Sequence, residues 1–406
     1  MSKPRVMLII PQDTKEQEAR YARQVLEESG CDVVHLDPSV RRTVGGAEIS
    51  PEEIAEAAGM TIEEVRAIGH EGKIQDVMIE GSLKMAHAAD EKEHLSGILS
   101  IGGSMGTSLS TNIMRSFPYG LPKLMVSTIA SGYTAPYVGV KDIIMMNSVT
   151  DISGLNSISR EVYRNAALAV AGMAKGYKPQ SASDKPLVLI TTLGTTEPAV
   201  KRIRAALEED GCEVMIFHSS GAGGPTLDSI AAERDVAMVL DLSVTEMVDY
   251  LFDGLANAGP DRGKAGISRG IPTIFAPGNA DFIIGGPIEE AREKYPGKKS
   301  YHAHNAAMTA VRTNLEDLKQ IADHLAALAG EAKGPVRVAV PLHGLSSHDS
   351  TEGHLYDPSM PGPFADYIKD VMPENIPVET VEAHFNDEAF SDHIIATARK
   401  MMEQSK

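Results

Sequence analysis

The sequence predicts an α/β fold: two Rossmann-like, doubly wound domains related by internal duplication, with a cleft between them. Residues 4–37 (PRVMLIIPQDTKEQEARYARQVLEESGCDVVHLD) and 186–218 (PLVLITTLGTTEPAVKRIRAALEEDGCEVMIFH) follow one plan. Each is an apolar run, a short polar loop, an amphipathic stretch and a second apolar run, the opening strand–loop–helix–strand unit of a doubly wound sheet. Pro4 aligns with Pro186, Thr14 with Thr196 and Gly30-Cys31 with Gly211-Cys212, with one residue dropped inside the second copy. A chain of 406 residues is also too long for one ordinary core and suits two domains. The expected bounds are 1–178 and 186–406, joined by a linker in GYKPQSASDKP, a stretch rich in turn-forming residues.

In the first domain, strand Val6–Ile10 runs into the loop Pro11–Lys15 and a helix with Ala19, Ala22, Val25 and Leu26 on one face. Strand Val33–Leu36 ends at Asp37. In SPEEIAEAAG and MTIEEVRAIG a Ser or Thr precedes Glu by three residues, the capping-box signature of short helices. Helix Gly81–Glu93 leads to strand Gly97–Ile101, the loop IGGSMGTS and a helix with Leu109, Ile113 and Met114. Strands near Leu124–Val126 and Asp142–Met146 follow, and helix Arg160–Met173 closes the domain. In the second domain the expected strands are Val188–Thr192, Val214–Phe217, Ala237–Leu240, Thr273–Phe275, Val336–Pro341 and Val378–Glu382. Thr245–Leu255 and Leu315–Ala329 read as helices. Ala258–Gly263 and Ala276–Gly286 read as loops beyond strand ends, where open α/β sheets bind ligands.

The net charge of −18 argues against nucleic-acid or anionic-membrane partners, which need a basic surface. No stretch approaches the roughly 20 apolar residues of a membrane span, and the N-terminus lacks a signal-peptide pattern. Cys31 and Cys212 precede strands of different domains and read as reduced thiols, which suits a cytoplasmic location.

The strongest local motif is Ile101–Ser108, with Gly102, Gly103, Ser104, Gly106 and Thr107 between a strand and a helix. Its backbone N–H groups can approach an anion, and the helix N-terminus adds a favourable dipole. It matches neither GxGxxG nor a Walker A loop, and a plain strand-to-helix turn has the same composition. Asp13, Thr14 and Lys15 follow the first strand: Lys15 can neutralise a phosphate, and Thr14 can donate to it or cap the helix. Asp37 stands where an acidic residue can bind a ribose hydroxyl. Ser131 and Gly132 lie in a hydroxyl-rich loop that can join the same pocket or form a self-capping turn. In the second domain, Thr195 and Thr196 occupy the place of Asp13–Lys15 without the lysine. Glu246, Asp261, Arg262 and His343 are candidates for orienting a small polar metabolite. His302 and His304, two apart, have a spacing that can chelate a metal from an extended loop; a polar loop bonding its own backbone is the preferred reading. A serine nucleophile at Ser346 lacks the GxSxG elbow.

These residues resemble one family. IGGSMGT (Ile101–Thr107), KLMVSTIASG (Lys123–Gly132), YVGVKDIIMMNSVTDISGLNSISR (Tyr137–Arg160), AGPDR (Ala258–Arg262), His302–Asn305, PLHGLSSHD and HFNDEAF are similar to the pattern of the Tm-one-like family. It includes a plant protein that confers resistance to tomato mosaic virus. The resemblance spans nearly the whole chain. It implies two Rossmann-like domains, homodimers, and ATP binding in the N-terminal domain, and a divalent ion, Mg²⁺, is expected to bridge the phosphates. The ATP positions fall on Asp13–Lys15, Gly102–Thr107, Ser131 and Gly132. The plant protein's viral partner is not carried over. Two departures stand out: Ile10-Pro11-Gln12, where proline removes a backbone donor, and His343 where the pattern has arginine, making that charge pH-dependent. A metabolic enzyme acting in the second domain is the alternative. Its requirement is that His302, His304, Asp261, Glu246 and His343 converge in one pocket.

Overall fold

The alternating apolar runs of the first half become a five-stranded parallel sheet. The computed structural model describes residues 3–179 and 183–404; residues 180–182, within the expected linker, lie outside the described residues. Two units divide the chain, Met1–Ser181 and Ala182–Lys406. In the first, β1 (Arg5–Ile9), β2 (Asp32–Leu36), β3 (Gly97–Gly102), β4 (Lys123–Ser127) and β5 (Ile144–Asn147) stand in the order β2-β1-β3-β4-β5, all parallel. Side chains alternate across the sheet, so Val6 and Leu8 pack against the helices Gln12–Glu28 and Ser157–Gly176. Met7 and Ile9 face the opposite way, toward Pro51–Ala57, Glu71–Lys92 and Ser104–Arg115. Both capping boxes form, at Ser50 with Glu53 and at Thr61 with Glu64.

The second unit repeats this topology. Its strands are β6 (Leu187–Thr192), β7 (Glu213–His218), β8 (Met238–Asp241), β9 (Thr273–Phe275), β10 (Phe282–Gly285), β11 (Tyr301–Ala303), β12 (Thr309–Arg312), β13 (Val336–Pro341) and β14 (Val378–Val381). The main sheet runs β14-β13-β9-β8-β6-β7, which is the order of the first unit with one strand added at an edge. Between β9 and β13 the chain inserts a three-stranded antiparallel sheet, β10-β12-β11.

Three local expectations are corrected. Pro11–Lys15 is not a loop: Pro11 caps a helix that begins at Gln12, with Lys15 out of helical geometry at φ −136° and ψ 38°. Proline's fixed φ suits a helix start, where its missing N–H has no partner to lose. The helix expected from Gly81 begins ten residues earlier, at Glu71, with the His70 ring accepting from the Lys73 N–H. The stretch Ala276–Gly286 contains β10, and His302 lies on β11. These strands are only four and three residues long, so neither shows the long apolar run that marks the central strands.

Candidate functional site

The order β2-β1-β3 makes the C-terminal end of β1 a topological switch point, where neighbouring connections leave to opposite faces and a crevice opens. A cavity of about 430 Å³ lies there. Pro11 and Asp13–Lys15 line it from the end of β1, Pro38, Val40 and Arg41 from the end of β2, and Gly103–Gly106 with Leu109 from the start of the helix after β3. Glu71, Ile74, Gln75 and Met78 of the helix Glu71–Lys92 form a further wall. The lining therefore combines two cations, Lys15 and Arg41, a 12-residue helix opening with free N–H groups, and an apolar patch of Val40, Ile74, Met78 and Leu109. The Lys15 ammonium donates to the Ile152 carbonyl at 3.2 Å.

Of the first-domain candidates, Asp13, Thr14, Lys15, Gly103, Ser104 and Gly106 share this cavity. Asp13 faces its own backbone: its Oδ2 accepts from the N–H groups of Val40 (3.1 Å) and Arg41 (2.9 Å), which pins the β2-side wall. Asp37 is not on the lining. It is fully buried, accepts from the Gln12 N–H at 2.9 Å and from Ser39, and burial raises its pKa. Thr107 is also fully buried, with its hydroxyl on the Gly103 carbonyl and Ser127. Gly102 belongs to β3, where a Cβ would sit 3.1 Å from the Gly106 Cα. Ser131 and Gly132 lie in an exposed turn after β4 and are not on the lining. Sequence reasoning missed Arg41, Ile74, Gln75 and Met78. The doubled Arg41-Arg42 after Asp37 was the available signal for the first. The others needed the true start of their helix.

In the second unit the candidates scatter. Arg262 is 2% exposed, and its guanidinium is spent on Asp241 (2.8 and 2.9 Å) and Glu246 (2.8 Å). Burial opposes its charge, but Asp241 and Glu246 outweigh that and hold its pKa above the ordinary value. Asp261, its neighbour in sequence, points outward and pairs with Lys264 at 3.1 Å. Thr195 and Thr196 bond to Asn279, which is buried at φ +65° and also accepts from the Ser243 hydroxyl. His343 is exposed beside Glu382, 3.3 Å away. The His302 ring stacks on His354 with centroids 3.9 Å apart, and burial, His354 and His304 together lower its pKa. Parallel rings do not aim their nitrogens at a common point, and among the described residues no group of three or more His, Cys, Asp or Glu side chains could hold a metal ion. Asp261, His343, His302 and Glu246 thus have different partners: Lys264, Glu382, His354 and Arg262.

A pH effect on stability arises in this unit. Asp249 is fully buried, accepts from the Ala256 and Ile284 N–H groups at 2.7 and 3.0 Å, and is pushed by burial from 3.8 up to about 7. The folded state thus holds this proton more tightly than the unfolded chain. The group's contribution is fully present below pH 3.8 and is lost as pH rises through about 7. The slope is about 1.4 kcal/mol per pH unit across that window. Urea unfolding at pH 5.5 should show the second unit more stable than at pH 8; a flat profile contradicts this environment for Asp249.

Fold and cavity define a class: an α/β protein of two Rossmann-like units with a ligand-sized crevice at the switch point of the first. Residues 4–179 match the N-terminal domain, and residues 185–402 the C-terminal domain, of the Uncharacterised protein family UPF0261; the chain belongs to that family. It is 35% identical over 403 residues to a UPF0261 protein of Clostridium tetani, covering 98% of both chains. Identity is 33% over 397 residues with a UPF0261 protein of Rhizobium meliloti, covering 97% of this chain and 98% of that one. The ToMV resistance protein Tm-1(GCR237) of Solanum lycopersicum is 28% identical over 431 residues, which cover 99% of this chain and 56% of that protein. The Tm-one-like label read from the motifs fits these relatives. Among the described residues, no helix is long and apolar enough to cross a membrane.

Proposed function

We propose that the first unit binds ATP or a related nucleotide in the switch-point cavity. The observation that carries this reading is that one cavity is lined by both Lys15 and the glycine-rich helix start Gly103–Gly106, beside an apolar wall of Ile74, Met78 and Leu109. Phosphates suit the helix N-terminus and the Lys15 and Arg41 charges. A nucleobase suits the apolar wall, and the cavity's about 430 Å³ falls within the ordinary range for small-molecule sites. Mg²⁺ bound to nucleotide phosphates keeps several waters and needs few protein carboxylates, so a protein-built metal cage is not required; Glu71 on the lining is the available acidic side chain. When bound, the ion would neutralise phosphate charge. Asp13 holds the Val40–Arg41 wall in place by its two backbone hydrogen bonds.

Calorimetric titration with ATP and Mg²⁺ tests this. Lys15→Ala should weaken binding about tenfold or more, the worth of one charge-assisted hydrogen bond. Gly106→Leu should abolish it: no atom lies within 4 Å of a Cβ at Gly106, so the new side chain enters open space at the cavity wall without disturbing the core. Both variants should keep the wild-type melting temperature within a few degrees. No heat from the wild type at millimolar ATP refutes the reading.

A further inference from the structure

The two units share a sheet order, so the place over β1 that holds the cavity has a counterpart over β6. In the first unit the loops after β2 and β3 stand apart over β1, and the cavity lies between them. In the second unit the equivalent loops, after β7 and β8, are joined. Glu246 leaves the β8 side and reaches the β7 side. Its Oε1 accepts from the Gly221 N–H (2.9 Å) and the Gly224 N–H (3.1 Å), and its Oε2 accepts from the Gly224 N–H (3.0 Å) and the Arg262 Nε–H (2.8 Å). With β8 and β7 on either side of β6, that link crosses the end of β6.

The surroundings of the Glu246 carboxylate are those of an anion-binding site. The 11-residue helix Gly223–Glu233 begins there, and the Gly224 N–H in its first turn donates to the carboxylate. A fully buried guanidinium supplies the positive charge. Gly224 leaves the room: a Cβ on it would lie 1.8 Å from Arg262 Nε and 2.1 Å from Glu246 Oε2. Gly221, at φ +103°, has a backbone that L side chains rarely adopt, and it turns an N–H toward the other oxygen, Oε1. The anion here is the chain's own, and it is 0% exposed.

We propose that Glu246 is the built-in ligand of an anion cradle in the second unit, and that the cradle takes up a free small carboxylate once that side chain is cut back. The atoms lost in Glu246→Ala are those of acetate, so acetate is the probe that matches the gap. One consequence rests on the nucleotide reading above: a chain whose second crevice is closed by Glu246 binds one nucleotide rather than two. The carboxylate test needs no nucleotide, so the two readings fail separately.

The experiment is thermal unfolding of full-length wild type and Glu246→Ala in sodium acetate, sodium benzoate and sodium chloride at equal ionic strength. The wild type should respond alike to all three. The variant should be stabilised by acetate in a saturable manner, with its folding equilibrium displaced about 11-fold when acetate reaches ten times its dissociation constant. Benzoate, too large for the gap, should match chloride. If the variant does not fold in chloride, recovery of the folded chain by refolding in acetate supports the cradle. Equal behaviour in acetate and chloride, rescue by benzoate as effective as by acetate, or failure to fold in any of the salts overturns it.

Discussion

Arg262→Met is expected to destabilise the second unit by about 3–5 kcal/mol, the cost of removing one partner from a buried ion cluster. Two carboxylates, Asp241 and Glu246, would remain at 1% and 0% exposure with their shared cation gone. Asp241 would keep the Thr191 hydroxyl at 2.8 Å, and Glu246 its backbone donors from Gly221 and Gly224, but none of these carries a full charge. With domain stabilities near 5–15 kcal/mol, such a loss removes a large part of the unit's margin. Arg262→Lys should recover only part of it, because an ammonium cannot meet Asp241 with two parallel bonds and Glu246 with a third. Urea unfolding of the three proteins decides the matter; a loss under 1 kcal/mol for Arg262→Met would mean that the cluster is replaceable.

Gly81→Ala is the second large effect expected. Within an exposed helix this change would stabilise by about 1 kcal/mol. Here the new Cβ would lie 1.9 Å from the Ile54 carbonyl oxygen and 2.8 Å from its carbon. Backbone atoms cannot rotate away, so the helix Glu71–Lys92 must move off the helix Pro51–Ala57, at an overpacking cost of about 1–3 kcal/mol or more. The same helix carries Ile74, Gln75 and Met78 into the cavity wall. Gly81→Ala should therefore lower both the melting temperature and the affinity for nucleotide, though Gly81 touches no ligand. Gly172→Ala is the control. Nothing lies within 4 Å of a Cβ there, in the helix Ser157–Gly176, and a small gain in stability is expected. If both substitutions behave alike, the close approach at Gly81 does not exist.

Half of the switch-point crevice was readable from residue order. Lys15 and the Gly103–Gly106 turn stand directly after strand ends, and strand ends are where an open sheet binds ligands. The other half was not. Ile74, Gln75 and Met78 carry no motif, and they reach the cavity because Gly81 lets their helix lie close to its neighbour. Asp37 and Thr107 look like ligand residues in the sequence because they are polar and sit after strands. In the fold Asp37 Oδ1 meets Gln12 and Ser39, and the Thr107 hydroxyl meets Gly103 and Ser127, instead. The antiparallel insertion was illegible for a related reason. Strands of three or four residues give too short a run for a period-two pattern to stand out.

The doubled strand–helix–strand plan and the parallel sheets follow from residue order alone, because hydrophobic period and turn chemistry act over neighbours in the chain; that Lys15 meets the glycine-rich turn depends on β1 lying beside β3. Whether a crevice stays open depends on residues far apart in sequence. In the first unit Asp13 pins the β2-side wall and leaves the space over β1 clear. In the second, Glu246 bridges from β8 to Gly221 and Gly224 and meets Arg262 over the same place. Both are single carboxylates near a strand end. Only the three-dimensional approach of backbone N–H groups and a guanidinium, in surroundings that exclude water, decides which of them frames a cavity and which fills one.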